Sequence, residues 1–249
     1  MTAVRAVPAS VLIIGAGGLG CPAALALGAA GLARIGICDD DGVDATNLHR
    51  QVLFASEDVG APKVSAFARA LARRFPRLAV ETHPVRFDVT TAAGLVAAYD
   101  VVVDGTDNFA AKFLANDAAV LAGKPLVHAA AVGWGGQLMT IPGRGRPCYR
   151  CLFEEPPAAG VGPSCAEAGV LGPVPGVLGA LAGIEAARLA RGESPAFAGR
   201  LVQYDSRAMS VRTVRFNPNP LCSVCAPNAR IRGLSAAEYG PEAEGCTTP

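Results

Sequence analysis

The chain has 249 residues, of which 51% are hydrophobic and 17% charged, with a formal net charge of +1 and a pI near 7.6. This composition supplies a buried core and excludes intrinsic disorder, and the near-neutral charge leaves no general attraction to nucleic acid or to an anionic membrane. The length suits one elaborated α/β domain as well as two small ones.

From the N-terminus, the first informative stretch runs from Ala6 to Ala33 without a charged residue. A membrane span or a signal peptide needs such an apolar run, but Gly15, Gly17, Gly18, Gly20 and Pro22 interrupt this one. It reads instead as a strand over 11–14, a glycine turn and a helix over 19–30. A strand over 34–38 follows, then a helix over 63–75 ended by Pro76. Residues 78–82 and 101–104 read as strands, 109–121 as a helix and 126–130 as a further strand. A turn at 133–136 leads into 137–141, which is expected to run antiparallel. Strands alternating with helices predict a mostly parallel α/β sheet covered on both faces.

From Pro142 the texture changes. Arg144, Arg146, Pro147, Pro156, Pro157 and Pro163 mark an irregular segment of a kind that is functional or pinned by metal when it occurs in a compact domain. A helix over 175–191 and two closing strands at 201–204 and 211–215, set as a hairpin, complete the pattern. The expected organisation is one domain: a nucleotide-binding half at 1–141, a crossover with helix, strands and cysteine site at 142–232, and a frayed tail at 233–249.

Gly15-Ala16-Gly17-Gly18-Leu19-Gly20 fits G-x-G-x-x-G directly after a strand and at the opening of a helix. Glycines there permit a tight turn and bring backbone N–H groups up to a phosphate at the positive helix end. Asp39 ends the next strand about 20 residues on, where a carboxylate accepts from ribose hydroxyls. This defines a nucleotide site and, taken alone, fits a dinucleotide-dependent oxidoreductase. The run after Asp39 contains more than such an enzyme needs: Thr46, Asn47, Arg50 and Gln51, then Lys63. Arginine and lysine beside a glycine turn can neutralise a triphosphate, although either residue in isolation suits a solvated helix face. Asp107 follows the strand at 101–104 and would face the same crevice, as a magnesium ligand or simply as the N-cap of the next helix.

Eight cysteines are too sparse for a disulfide scaffold, so a reducing, cytoplasmic setting is expected and paired cysteines suggest metal first. Cys148 with Cys151 and Cys222 with Cys225 form two C-x-x-C pairs, much further apart than the about 15–20 residues of a compact ribbon. Four thiolates close a structural zinc site, while redox pairs are the alternative. Cys21 and Cys38 read as inert core thiols. Cys165 lies in the irregular segment, where a nucleophile would be exposed; on the residues alone it reads equally as a bystander.

Together and in this order, these motifs resemble the MoeB/ThiF/HesA family, relatives of the ubiquitin-activating enzymes. The resemblance rests on the G-x-G-G-L-G-C turn at 15–21, the D-x-D-x-V-x-x-x-N-L-x-R-Q run at 39–51 and G-x-P-K at 60–63. T-D-N at 106–108, P-C-Y-R-C at 147–151, C-x-E-A-G-V at 165–170 and the final C-x-x-C at 222–225 complete it. It implies a Rossmann-like sheet extended by antiparallel strands, a homodimer and zinc on Cys148, Cys151, Cys222 and Cys225. Gly15, Gly17, Gly18, Asp39, Thr46, Asn47, Arg50, Lys63, Asp107 and Asn108 would then bind ATP, with Asp107 holding Mg2+. Arg50, Lys63, Asp107 and Cys165 would carry the chemistry, Cys165 matching a cysteine that in some members bonds to the carrier protein.

The implied reaction is adenylation of the C-terminal glycine of a small ubiquitin-like sulfur carrier ending in Gly-Gly, in molybdopterin or thiamine biosynthesis. The P-C-Y-R-C wording leans to the molybdopterin side. Family members usually begin with a helix whose arginine reaches the partner's ATP; here only Met1 to Ser10 precede the first strand, so either the start is misassigned or that contribution is missing. No rhodanese part is seen, so a separate sulfurtransferase is expected. A homologue that binds such a carrier without turnover is the remaining alternative.

Overall fold

The computed structural model describes residues 7–143, 145–157 and 169–239. Eight strands form one sheet in the order β3-β2-β1-β4-β5-β6-β7-β8. They are β1 (Val7–Ile14), β2 (Leu32–Cys38), β3 (Ala79–His83), β4 (Val101–Asp104), β5 (Leu126–Val132), β6 (Gly135–Ile141), β7 (Arg200–Asp205) and β8 (Ser210–Arg215). The first five run parallel, and β6, β7 and β8 continue the sheet antiparallel. The mostly parallel α/β architecture and the closing hairpin are therefore as expected.

The helices are α1 (Gly20–Ala29), α2 (Lys63–Arg74), α3 (Ala92–Ala97), α4 (Phe109–Ala122) and α5 (Pro173–Ala190). Alternation along β1 explains the two cores. Val11 and Ile13 point to the layer holding Leu27 of α1, Phe67 of α2 and Leu178 of α5. Leu12 and Ile14 point to the opposite layer with Val96, Phe113 and Tyr149. A central parallel strand covered on both faces has no polar side, which is why it reads as an unbroken apolar run.

Two differences from the sequence reading have local causes. Helix α3 carries no 3.6-residue apolar stripe; Asp88 starts it, its Oδ1 accepting from the Thr90 and Thr91 amides at 2.8 and 3.1 Å. The tail holds on further than expected: Glu238 pairs with Arg230, and Tyr239 is buried. Among the described residues, no helix is long and apolar enough to cross a membrane.

The strand order reverses between β1 and β4, and in open α/β sheets ligands bind at such a switch point, at the carboxyl ends of the strands.

Candidate functional site

The glycine turn leaves the carboxyl end of β1 at this switch point and opens α1. Gly15 has φ +93°, and a side chain on Gly20 would lie 2.0 Å from the Gly15 carbonyl oxygen, so neither position accepts another residue without moving the turn. Asp39, at the end of β2, spans the turn and its own loop: Oδ2 accepts from the Ala16 amide at 2.8 Å and Oδ1 from the Asp41 amide at 2.9 Å.

Lys63 is the anomaly of the site. It opens α2 yet is 6% exposed, although the N-terminal turn of a helix disfavours a cation. Its Nζ donates to Asp41 Oδ2 at 2.6 Å and lies 3.9 Å from Asp39 Oδ1. Burial alone would lower the ammonium's pKa; Asp39 and Asp41, with a smaller contribution from Asp107, outweigh it and hold it above the ordinary value. The Asp39 carboxyl is raised by burial, against the opposing pull of Lys63 and the two amides. The site thus keeps a buried, charged lysine at the mouth of a glycine turn.

Asp44 starts the turn at 45–47 by accepting from Thr46, at 2.7 Å from the amide and 2.6 Å from the hydroxyl, which commits that hydroxyl locally. The Asn47 carbonyl accepts from the amides of Arg50 and Gln51, closing the turn that carries them. A side chain on Gly18 would stand 3.4 Å from Arg50 Cγ and 3.2 Å from Pro175 Cγ, so the Arg50 stem and the first turn of α5 both border the glycine turn. Asn47 Oδ1 and Gln51 Oε1 are buried without a hydrogen-bond partner. An orphaned buried acceptor costs about 1–3 kcal/mol, a cost that a donor supplied by water or a ligand would remove.

Asp107 is exposed at the end of the β4 loop. It is not the helix cap: Asn108 is, its Oδ1 accepting from the Ala111 amide at 2.8 Å. Beside Asn108 lies a cavity of about 100 Å³ walled by Phe87, Val89 and Leu114.

Behind this loop sits a cluster the sequence did not announce. Asp104 is 0% exposed and lies 2.7 Å from His128 Nδ1 and 3.6 Å from Lys112 Nζ. Its partners come from α4 and from β5, where His128 faces it in register. A second buried pair, Asp117 with Arg150 at 2.9 Å, ties α4 to the first cysteine pair. The only sequence signals were an aspartate closing a valine run and a histidine inside an apolar strand.

The four paired cysteines converge. Sγ–Sγ distances are 3.9 Å for Cys148–Cys151, 3.5 Å for Cys148–Cys222 and 3.4 Å for Cys151–Cys225. All four sulfurs lie within 4.8 Å of one another. A tetrahedron with Zn–S bonds of about 2.3 Å has edges of about 3.8 Å, so the thiols fit zinc and stand too far apart for a bond of about 2.05 Å. Cys21 and Cys38 are buried, which pushes each thiol up to about 12, as expected of core cysteines. Cys165 lies outside the described residues.

Residues 4–224 match the ThiF family. The chain belongs to that family. Among its relatives, the sulfur carrier protein adenylyltransferase of Thermus thermophilus is 45% identical over 231 residues, covering 91% of this chain and 85% of the relative. The adenylyltransferase and sulfurtransferase MOCS3 of Anopheles gambiae is 45% identical over 88% of this chain, which spans only 50% of that protein. Among solved structures, E. coli MccB with ATP superposes with a TM-score of 0.76 at 24% identity, covering 88% of this chain and 67% of that one, which shows a shared fold.

Proposed function

We propose that this chain uses Mg-ATP to adenylate the C-terminal glycine of a small ubiquitin-like sulfur-carrier protein. The observation that carries the reading is Lys63, buried and charged beside Asp39 at the glycine turn, with the Arg50 stem over Gly18. An NAD site needs little beyond the acidic residue at Asp39, whereas a triphosphate gains from two cations beside the glycine turn.

In this reading the glycine turn and the N-terminus of α1 receive the phosphates, Asp39 accepts from the ribose, and the apolar cavity beside Asn108 takes the base. The carrier's carboxylate oxygen attacks the α-phosphorus, the bond to the bridging oxygen breaks, and pyrophosphate leaves with the electron pair. Lys63 exchanges its Asp41 partner for phosphate oxygens, and Arg50 adds a second donor, so charge is neutralised by groups already in place. Asp107 would hold Mg2+, which supplies further neutralisation of the triphosphate. Cys148, Cys151, Cys222 and Cys225 would hold zinc in a closed structural site that staples the C-terminal segment to α4.

The partner would be a carrier ending in Gly-Gly, of the molybdopterin or thiamine type, with sulfur delivered by a separate sulfurtransferase in the cytoplasm. A homodimer is also proposed, supported by Val177, Leu181 and Ile184, which are exposed on one face of α5. ATP–pyrophosphate exchange tests the function: it should require a Gly-Gly carrier and vanish in Asp107→Ala. Absence of exchange with every such carrier, together with binding of NADH, would return the chain to the oxidoreductases.

A further inference from the structure

The Asp104 cluster lies one residue behind the metal loop and is wired to it. Asp104 Oδ1 accepts from the Thr106 amide at 3.0 Å and from its hydroxyl at 2.6 Å. Lys112 Nζ donates to the Thr106 carbonyl at 2.5 Å and to that of Ala129 at 3.1 Å. Thr106 is therefore gripped at its N–H, its O–H and its C=O, and Asp107 is the next residue. The other oxygen of Asp104 is held by His128 Nδ1 at 2.7 Å.

His128 is 1% exposed and its Nε2 has no hydrogen-bond partner. The carboxylate at Nδ1 fixes the tautomer: Nδ1 carries the proton and Nε2 is a bare acceptor. Burial, and then the neighbouring Lys112 ammonium, push the imidazole below its ordinary value, against the opposing pull of Asp104. Its ring also packs against that of Tyr149, centroids 4.7 Å apart, in the turn between Cys148 and Cys151.

We propose that His128 is a positioning residue for the magnesium loop, holding Asp107 in place through Asp104 and Thr106. This rests on Asp107 as the Mg2+ ligand of the adenylation reaction. The physical reason is competition for Lys112. While His128 donates to Asp104, Lys112 can remain on the Thr106 carbonyl. Without that donor a buried carboxylate draws the ammonium toward itself, or swings and drops Thr106; both slacken the turn that carries Asp107. His128 touches no reacting group in this scheme.

The test separates the donor from the ring. His128→Phe keeps a ring against Tyr149 and loses the N–H; His128→Asn places an amide N–H near the Nδ1 position and loses the ring. ATP binding is measured by calorimetry across a Mg2+ series without carrier, alongside Tm. His128→Phe should need on the order of tenfold more Mg2+ for half-maximal ATP binding, the effect of one charge-assisted hydrogen bond. His128→Asn should stay within about twofold of the parent even where its Tm falls, because the donor is retained.

Thr106→Val, which removes the 2.6 Å bond from the loop side, should shift the Mg2+ requirement in the same direction, and it decides the matter if His128→Phe does not fold. A merely structural role would lower Tm in these variants and leave the Mg2+ midpoint where it was, and that result overturns the proposal. So does His128→Asn shifting as far as His128→Phe. Asp107→Ala in the same assay tells the two readings apart. If it moves the midpoint and the His128 and Thr106 variants do not, only the positioning role fails. If Asp107→Ala moves nothing, the magnesium assignment itself fails.

Discussion

Replacing Lys63 with methionine separates catalysis from stability more sharply than any other change at this site. A unit charge about 4 Å from a phosphate oxygen at an effective dielectric near 20 is worth about 4 kcal/mol. In the free protein part of that is already taken up by Asp41, at 2.6 Å from Nζ, so binding ATP exchanges one charged partner for another. The net loss should be that of a charge-assisted hydrogen bond, about 1.5–3 kcal/mol, or roughly a 10- to 150-fold fall in kcat/KM for pyrophosphate exchange.

Stability should respond differently. The Asp41 side chain is 65% exposed, so the ion pair lost is screened and worth at most about 1 kcal/mol. Asp39 loses a cation 3.9 Å away but keeps its two amide donors, so its carboxylate is not left unpartnered. Tm should stay within about 4 °C of the parent, the shift that about 1 kcal/mol produces in a chain of this size. Lys63→Arg should recover part of the activity. Exchange kinetics beside a thermal melt decide the matter: a variant with unchanged kcat/KM, or one losing activity only because its melt collapses, refutes the reasoning.

Purified chain should carry one zinc per molecule by elemental analysis, and Cys148→Ser should abolish it and lower Tm; metal-free protein with an unchanged melt would count against a zinc staple. Asp117→Ala leaves the buried Arg150 guanidinium without its counter-ion and should cost about 3–5 kcal/mol in denaturant unfolding, while Asp117→Ala/Arg150→Met should recover a good part of it. The pH response of Asp39 has a definite sign. Its folded-state pKa lies above its unfolded one, so falling pH protonates it first in the folded chain and does not by that step destabilise the fold. ATP affinity should therefore weaken on the acid side before the melt does, and Asp39→Asn should lose that dependence; identical acid limbs in both proteins would remove Asp39 from ribose binding.

Much of the architecture was legible because central parallel strands leave a continuous apolar record. Val11 to Ile14 and Val101 to Val103 are buried on both faces, and neither stretch offers an alternative reading once a glycine turn or a helix follows it. The nucleotide turn was legible for a similar reason: only glycine fits at Gly15 and Gly20, so the constraint is written in the residue type. The cysteine pairs announced themselves by spacing. Helix α3 did not, since its start depends on Asp88 hydrogen bonds and not on an apolar stripe. The choice of Asn108 over Asp107 as the α4 cap was also hidden, because both side chains can fill that place and the backbone at that point selects one.

What the sequence alone determined is the local chemistry: a glycine turn, a carboxylate at the next strand end, cations after it, and two thiol pairs. Tertiary structure decided which of these groups meet. Lys63 becomes a buried charge only because α2 docks its first turn beside Asp39 and Asp41. Asp104 meets His128 and Lys112 only because β4 and β5 are neighbours in register and α4 crosses behind them. Chain order carries periodicity and turn preference, which are set within a few residues; the partners of a buried charge are set by sheet order and strand register, which no short segment encodes.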